Sequence, residues 1–361
     1  MRLFIGVLTS LLTCYTFVEA QVNFREISFR QALEYSKTEK KLIFLDCRTK
    51  WCSACKAMDR NVFSKQEVGD FFNAHFINVE MDMESEEGKM MQKKLKVNAY
   101  PTFFIINSEG DVQHCLVGGR AQDQFIALVR QGMVVETSLS HLDSLYRAGA
   151  LPSEQQEMFV TQLKDASETV RVREVAFAIY DRMSEADRAK GDYWYLYQNA
   201  DCFPTDAMFA YLIAHKARFA QLVGDSLVDL KIKDTYETIL RGTSRATSQE
   251  IVTESMTVME AQLAEIEFAG KQAIEVWRRH NEACQRKDTE VLLHIWENQL
   301  KELPFTVLVS IPFQFAYIVD SGDREMIRRY VRVGDQLLED LEEGNLKTLV
   351  KEAFDKYRKS L

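Results

Sequence analysis

Cys52 and Cys55 stand two residues apart in the run Leu45-Asp46-Cys47-Arg48-Thr49-Lys50-Trp51-Cys52-Ser53-Ala54-Cys55-Lys56. A lone Cys-x-x-Cys is weak evidence, so its setting decides the reading. An apolar run, Lys41 to Asp46, precedes the pair as a buried strand, and a helix is expected to begin at Cys52. Unpaired backbone N–H groups and the macrodipole at a helix N-terminus favour a thiolate, bringing the thiol below its ordinary pKa of ~8.5. That marks Cys52 as the nucleophile. The two-residue spacer puts the Cys55 thiol one turn further in, where it can attack a mixed disulfide, and Trp51 supplies an apolar platform beside the pair.

Two more residues agree with thiol chemistry. Asp46 lies six positions before Cys52, near the end of the apolar strand. Its carboxyl is therefore expected to be buried beneath the cysteines with a raised pKa, suited to accept the Cys55 proton. Pro101, the only proline in the first 150 residues, precedes the strand expected at Thr102–Ile106, where a cis peptide would hold a substrate strand against the cysteines. The rival reading is a structural disulfide or half a zinc site. It lacks a second ligand pair, and no motif positions His75, the nearest histidine, so no metal ligands and no organic cofactor are assigned.

These side chains need elements to place them. Between Gln21 and about Gly132, short β-rich runs alternate with helical stretches, which predicts an α/β domain with a mixed or parallel sheet. Ser28 is the expected cap of a helix reaching Lys37. Further helices are expected at Ser64–Ala74, Glu86–Leu95 and Ala121–Arg130, and a strand at Phe76–Met81. Thr102–Ile106 and Val112–Val117 read as a hairpin around Asn107-Ser108-Glu109-Gly110. Cys47 and Cys115 fall in strands and read as core residues. Glu84 to Glu87 reads as a solvated helix start.

Beyond about Val134 the β signal disappears. Val172, Val175, Ala176, Ile179 and Met183 recur at helical spacing, as do Leu346, Leu349, Val350, Phe354 and Tyr357. This half is expected to be all-α, with stacked α-hairpins as one arrangement and no 34-residue repeat register. Ser153, Thr205 and Ser248 are the expected N-caps, Gly242–Gln249 the expected loop. Phe305, Phe313, Phe315 and Tyr317 read as core, and His215, His280 and His294 as structural. A bridge between Cys202 and Cys284 is left open.

The strand aspartate, the Trp-Cys-x-x-Cys-Lys run, and a Tyr-Pro-Thr loop before a hairpin ending in Gly118-Gly119 resemble the thioredoxin fold over roughly residues 21–135. Val62-Phe63-Ser64 also resembles the exported thioredoxin-like domains at the C-terminus of the bacterial thiol–disulfide interchange protein. The resemblance implies that Cys52 attacks, Cys55 resolves, Asp46 is the buried acid–base group, and Tyr100 with Pro101, beside Trp51, forms the substrate-contacting loop. Three departures stand out. Ser53-Ala54 replaces the family's Gly-Pro, a dipeptide that tunes redox potential. Arg60 stands where thioredoxin has a kinking proline. Phe76–Met81 carries no lysine to pair with Asp46, so either Asp46 titrates differently or Glu80 shares its proton. No resemblance covers residues 136–361.

The chain of 361 residues is long enough for about two domains, and 46% hydrophobic residues exclude disorder. With 45 basic against 54 acidic residues the net charge is −9, which disfavours nucleic acid as a partner. Arg2, the apolar run Leu3–Leu12 and Val18-Glu19-Ala20 form a secretory leader over residues 1–20. Cys14 offers a less well-matched lipidation site. No later apolar run reaches the ~20 residues of a membrane span. Domains are therefore expected at 21–135, thioredoxin-like, and at 136–361, helical. The expected function is an exported, periplasmic thiol–disulfide oxidoreductase working on protein disulfides, favoured as a reductase fed by a membrane-borne donor. Oxidase and isomerase directions use the same residues. The alternative is a binding or chaperone protein whose helical half recruits partners.

Overall fold

The computed structural model describes residues 21–242 and 249–361. The expected leader with Cys14, the Ser248 cap and most of the expected Gly242–Gln249 loop lie outside the described residues.

Four strands, β1 (Leu42–Arg48), β2 (Phe76–Asp82), β3 (Thr102–Ile106) and β4 (Val112–Val117), form one mixed sheet in the order β2-β1-β3-β4. β1 runs parallel to β2, with Asp46 opposite Glu80, and antiparallel to β3, with Asp46 opposite Phe103. Strand side chains alternate between faces. Phe44, Asp46 and Arg48 therefore share one face of β1, while Ile43, Leu45 and Cys47 share the other.

Both faces are covered. Phe44, Phe76, Phe103 and Ile105 meet Met58, Phe72 and Phe125 from α2 (Ser53–Met58), α3 (Gln66–His75) and α5 (Gln122–Met133) on one side. Ile43, Leu45, Cys47, Val79 and Met81 meet Phe29, Ala32 and Met91 from α1 (Phe29–Glu39) and α4 (Glu86–Leu95) on the other. The first face is a lattice of phenylalanines: Phe44 stands edge-on to Phe72 at 4.7 Å, and Phe103 to Phe125 at 4.9 Å. Such pairs add about 0.5–1.5 kcal/mol each beyond the area they bury. Ser28 caps α1 in a capping box with Gln31, as the sequence predicts. Cys47 is fully buried and Cys115 largely so, both as core thiols.

The chain divides into two compact units, one ending at Ala176 and the other Phe177–Leu361. The β signal ends near Val134, yet α6 (Leu139–Arg147) and α7 (Ser153–Asp165) pack on β4 and belong to the first unit. The second unit is helical. Within it Lys271–Arg286 packs on Thr289–Gln299, and Arg324–Asp340 on Asn345–Arg358. Its core holds Tyr236, Trp296, Tyr330 and Phe354. His280 is buried there, its ring 6.0 Å from that of Trp296.

Several sequence expectations for these helices are corrected. Phe315 is buried, but Phe305 and Phe313 are 59% and 55% exposed, because they sit on short one-turn segments that cannot turn every aromatic inward. Pro152, not Ser153, occupies the cap position of α7, since its fixed φ of −62° sets the extended entry. Helix Ala207–Ala214 starts behind Asp206, so Thr205 lies before the cap. Cys202 and Cys284 are thiols with no bridge between them. Among the described residues no helix is long and apolar enough to cross a membrane.

Candidate active site

The site is built where β1 runs out. Its last residue, Arg48, gives way to Thr49 and Lys50, and Cys52 takes the N-cap of α2 in extended conformation. Cys52 Sγ accepts a hydrogen bond from the Cys55 backbone N–H at 3.0 Å, so the sulfur occupies the place a capping oxygen normally takes. The two cysteines form a disulfide with their Cα atoms 5.3 Å apart. Both are almost completely buried, whereas Trp51 beside them is 66% exposed.

The rim is ordered by side-chain contacts. Trp51 Nε1 donates to Glu84 Oε1 at 3.0 Å, and its ring stands edge-on to Tyr100 at 5.8 Å. Gln92 Nε2 donates to the Tyr100 hydroxyl at 3.0 Å. The Tyr100–Pro101 peptide is cis, as expected, and the Pro101 carbonyl accepts from Gly118 N at 2.8 Å. Glu84 is thus more than a solvated helix start. Glu87 also has a partner, since its Oε1 accepts from Phe29 N at 2.8 Å.

Asp46 is 1% exposed on the sheet face that receives Met58 from α2. Burial pushes its carboxyl up to about 8, the charge of Arg48 opposing that rise and those of Glu80 and Asp59 adding to it. Neither carboxyl oxygen accepts a hydrogen bond within the described residues. The expectation that Glu80 shares the Asp46 proton is corrected: Glu80 Oε2 accepts instead from Arg48 Nη1 at 2.6 Å. Arg48 Nη1 also donates to Asp59 Oδ1 at 2.8 Å while Nη2 donates to Asp59 Oδ2, and Nη1 lies 3.6 Å from Asp46 Oδ2. Asp46, Asp59 and Glu80 bring carboxylate oxygens within 4.8 Å of one another, and the cation among them is the Arg48 guanidinium.

Arg48 and Asp59 were not singled out from the sequence. The signal for Arg48 was the period of two, which places it on the face of Asp46. Asp59 is aimed by a wide turn, Asp59–Phe63, whose Ser64 N–H reaches back to the Asp59 carbonyl at 3.1 Å. This π-type turn includes Arg60. Such turns often mark functional sites.

Residues 25–108 match the thioredoxin-like family model. The thiol:disulfide interchange protein DsbD of Photorhabdus laumondii is 30% identical over 92 residues, 25% of this chain and 16% of that protein. The chain therefore spans about a sixth of the length of that relative. A solved putative disulphide-isomerase from Bacteroides thetaiotaomicron is 44% identical over 32% of this chain and 94% of its own, with a TM-score of 0.30. The oxidised C-terminal domain of DsbD from Neisseria meningitidis is 24% identical over 28% of this chain and 91% of its own, with a TM-score of 0.26. The first part of the chain is thus a thioredoxin-like α/β domain carrying a close cysteine pair, followed by a largely helical region.

Proposed function

We propose that the thioredoxin-like domain exchanges disulfides with protein substrates through Cys52 and Cys55, in the reducing direction and in an exported compartment. The observation that carries this reading is the cysteine pair at the N-cap of α2, with Cys52 Sγ held against a backbone N–H, above a sheet face that buries Asp46. Export is supported by the composition of residues 1–20, with a periplasmic site implied by the resemblance.

In the reduced protein the Cys52 thiolate attacks one sulfur of a substrate disulfide. A Cys52–substrate bond forms, the substrate S–S bond breaks, and the departing thiolate takes a proton from water. Cys55 then passes its proton to ionised Asp46, and the Cys55 thiolate attacks Cys52 Sγ. The mixed disulfide breaks, the Cys52–Cys55 disulfide closes, and the second substrate sulfur leaves as a thiolate that takes up a proton, while Asp46 gives the Cys55 proton back to solvent. The substrate gains two electrons and the pair loses two. A carboxyl pushed up to about 8 is a stronger base than an ordinary carboxylate, which suits it to take the Cys55 proton. A membrane-borne donor would restore the dithiol. Trp51, Tyr100 and Pro101 are assigned to substrate contact, and the helical unit to choosing partners, on the ground of its size and of there being no catalytic constellation among its described residues.

The test is the equilibrium of the full chain with glutathione, read by thiol alkylation with Cys52→Ser as control. A reversible two-electron couple near thioredoxin's ~−270 mV supports the reductase, and one near ~−120 mV moves the reading to an oxidant. A Cys55→Ser variant that traps no mixed disulfides with proteins, together with no measurable couple, would favour a binding protein instead.

A further inference from the structure

Arg48 is the cation at the centre of the site, and the sequence pattern that identifies the cysteines does not account for it. Its side chain is 11% exposed. It forms a fork onto Asp59, whose side chain is 41% exposed, and a single bond to Glu80, 47% exposed. The two rim carboxylates therefore take the guanidinium's hydrogen bonds, and buried Asp46 keeps only its charge at 3.6 Å. A planar guanidinium can engage several carboxylates at once, which an ammonium cannot do with the same geometry. The charged groups facing Asp46 are Arg48 on its own strand, Glu80 on β2 and Asp59 after α2. Phe103, opposite on β3, is neutral.

We propose that Arg48 is a positioning residue whose guanidinium, drawn outward by Asp59 and Glu80, sets how readily buried Asp46 releases and takes its proton. The rim acids act on Asp46 in two ways: their own charge disfavours its ionised form, and they hold the guanidinium away from hydrogen-bonding distance. Loss of Arg48 removes the one opposing charge and leaves two uncompensated acids nearby. Loss of both rim acids frees Arg48 to bond Asp46 directly. The two changes must therefore move Asp46 in opposite directions, which a purely structural role for Arg48 does not require.

The test is the carboxyl carbon resonance of Asp46, followed against pH in the full-length oxidised protein labelled at aspartate and assigned with Asp46→Asn. Arg48→Gln is expected to raise the Asp46 midpoint by about one pH unit, a tenfold gain in proton affinity, and Arg48→Lys to return part of that rise. The pair Asp59→Asn with Glu80→Gln is expected to lower it by a comparable amount, and it keeps the test open if Arg48→Gln does not fold. Midpoints unchanged in both variants, or moving the same way, overturn the proposal. It rests on the exchange reading for its purpose, but the oxidised protein reports Asp46 without turnover. Opposite shifts with no glutathione couple would sink the exchange reading alone, and a working couple with no shifts would sink this one alone.

Discussion

Trp51 and Glu84 meet across the rim of the site, the indole N–H donating to a carboxylate that belongs to the turn before α4. Tyr100 stands edge-on to the same ring. An exposed aromatic is thereby fixed in one orientation beside the cysteines, and a partner meeting it does not have to order it first. Glu84→Ala removes the acceptor. A hydrogen bond of this kind contributes about 0.5–1.5 kcal/mol, so a two- to tenfold weaker apparent affinity for protein substrates is expected. The melting temperature should stay within about 2 °C, because the contact is at the surface. Steady-state reduction of a disulfide substrate separates the cases: a fall in kcat with KM unchanged would show that the indole is not held for binding.

Asp46 makes the stability of the domain pH-dependent. Its carboxyl is raised from an ordinary 3.8 to about 8. The folded state therefore holds a proton that the unfolded chain has already lost across that interval, and stability is greatest below pH 4 on this account and declines as pH rises toward 8. Asp46→Asn removes the liability. Urea unfolding at pH 7.5 should show the variant more stable than the parent, on the order of a few kcal/mol, with the gap closing near pH 4. The same variant should slow the resolving attack of Cys55 by at least tenfold, in line with the ~10²–10⁴-fold typical of acid–base groups. A variant that resolves normally would remove Asp46 from the mechanism.

His114 gives a dependence of opposite sign. Burial lowers its imidazole to about 4, and Nδ1 accepts from the Leu139 backbone N–H at 3.3 Å. Protonating that nitrogen costs both the bond and the desolvation of a cation. Stability is expected to fall as pH drops from 6.5 toward 4, and this slope should vanish in His114→Phe. The ring is also fixed by Gly132, where an added Cβ would lie 2.5 Å from it. Gly132→Ala should cost about 1–3 kcal/mol by overpacking, read from the urea midpoint. A neutral Gly132→Ala would show that β4 and α5 can separate at little cost.

What the sequence disclosed follows the physics of each signal. β3 and β4 were legible to the residue, because their apolar runs are bounded by Pro101 and by an Asn-Ser-Glu-Gly turn. The cysteine motif and the cis bond at Pro101 were legible because cysteine and proline are rare here, and the burial of Asp46 because an apolar run leads into it. β1 was read as ending at Asp46, although it continues to Arg48, because a charged residue ordinarily closes an apolar strand. Here three carboxylates from separated parts of the chain make that charge tolerable, and only the folded register brings them together. Phe305 and Phe313 misled for the converse reason: composition marks them as core, but four-residue helices supply no buried stripe. The boundary of the first compact unit was hidden because α6 and α7 have helical composition yet pack on β4.

The six cysteines of the described chain should separate by reactivity. Burial raises the thiols of Cys115 to about 12 and Cys284 to about 11, and that of Cys47 well above its usual value. Cys202 is buried at 2% exposure. A thiol near 11 holds roughly 300-fold less thiolate at neutral pH than an ordinary one near ~8.5. Cys284 also packs against His280, its Sγ 3.6 Å from Nδ1, but burial lowers that imidazole to about 4, so no cation is present to favour a thiolate. Brief iodoacetamide treatment at pH 7, read by peptide mass spectrometry, should label none of these four in the native protein. After mild reduction the label should appear first on Cys52, whose sulfur lies against the Cys55 N–H. Rapid labelling of Cys284 would mean that His280 activates it, and would make the helical unit a second site of thiol chemistry.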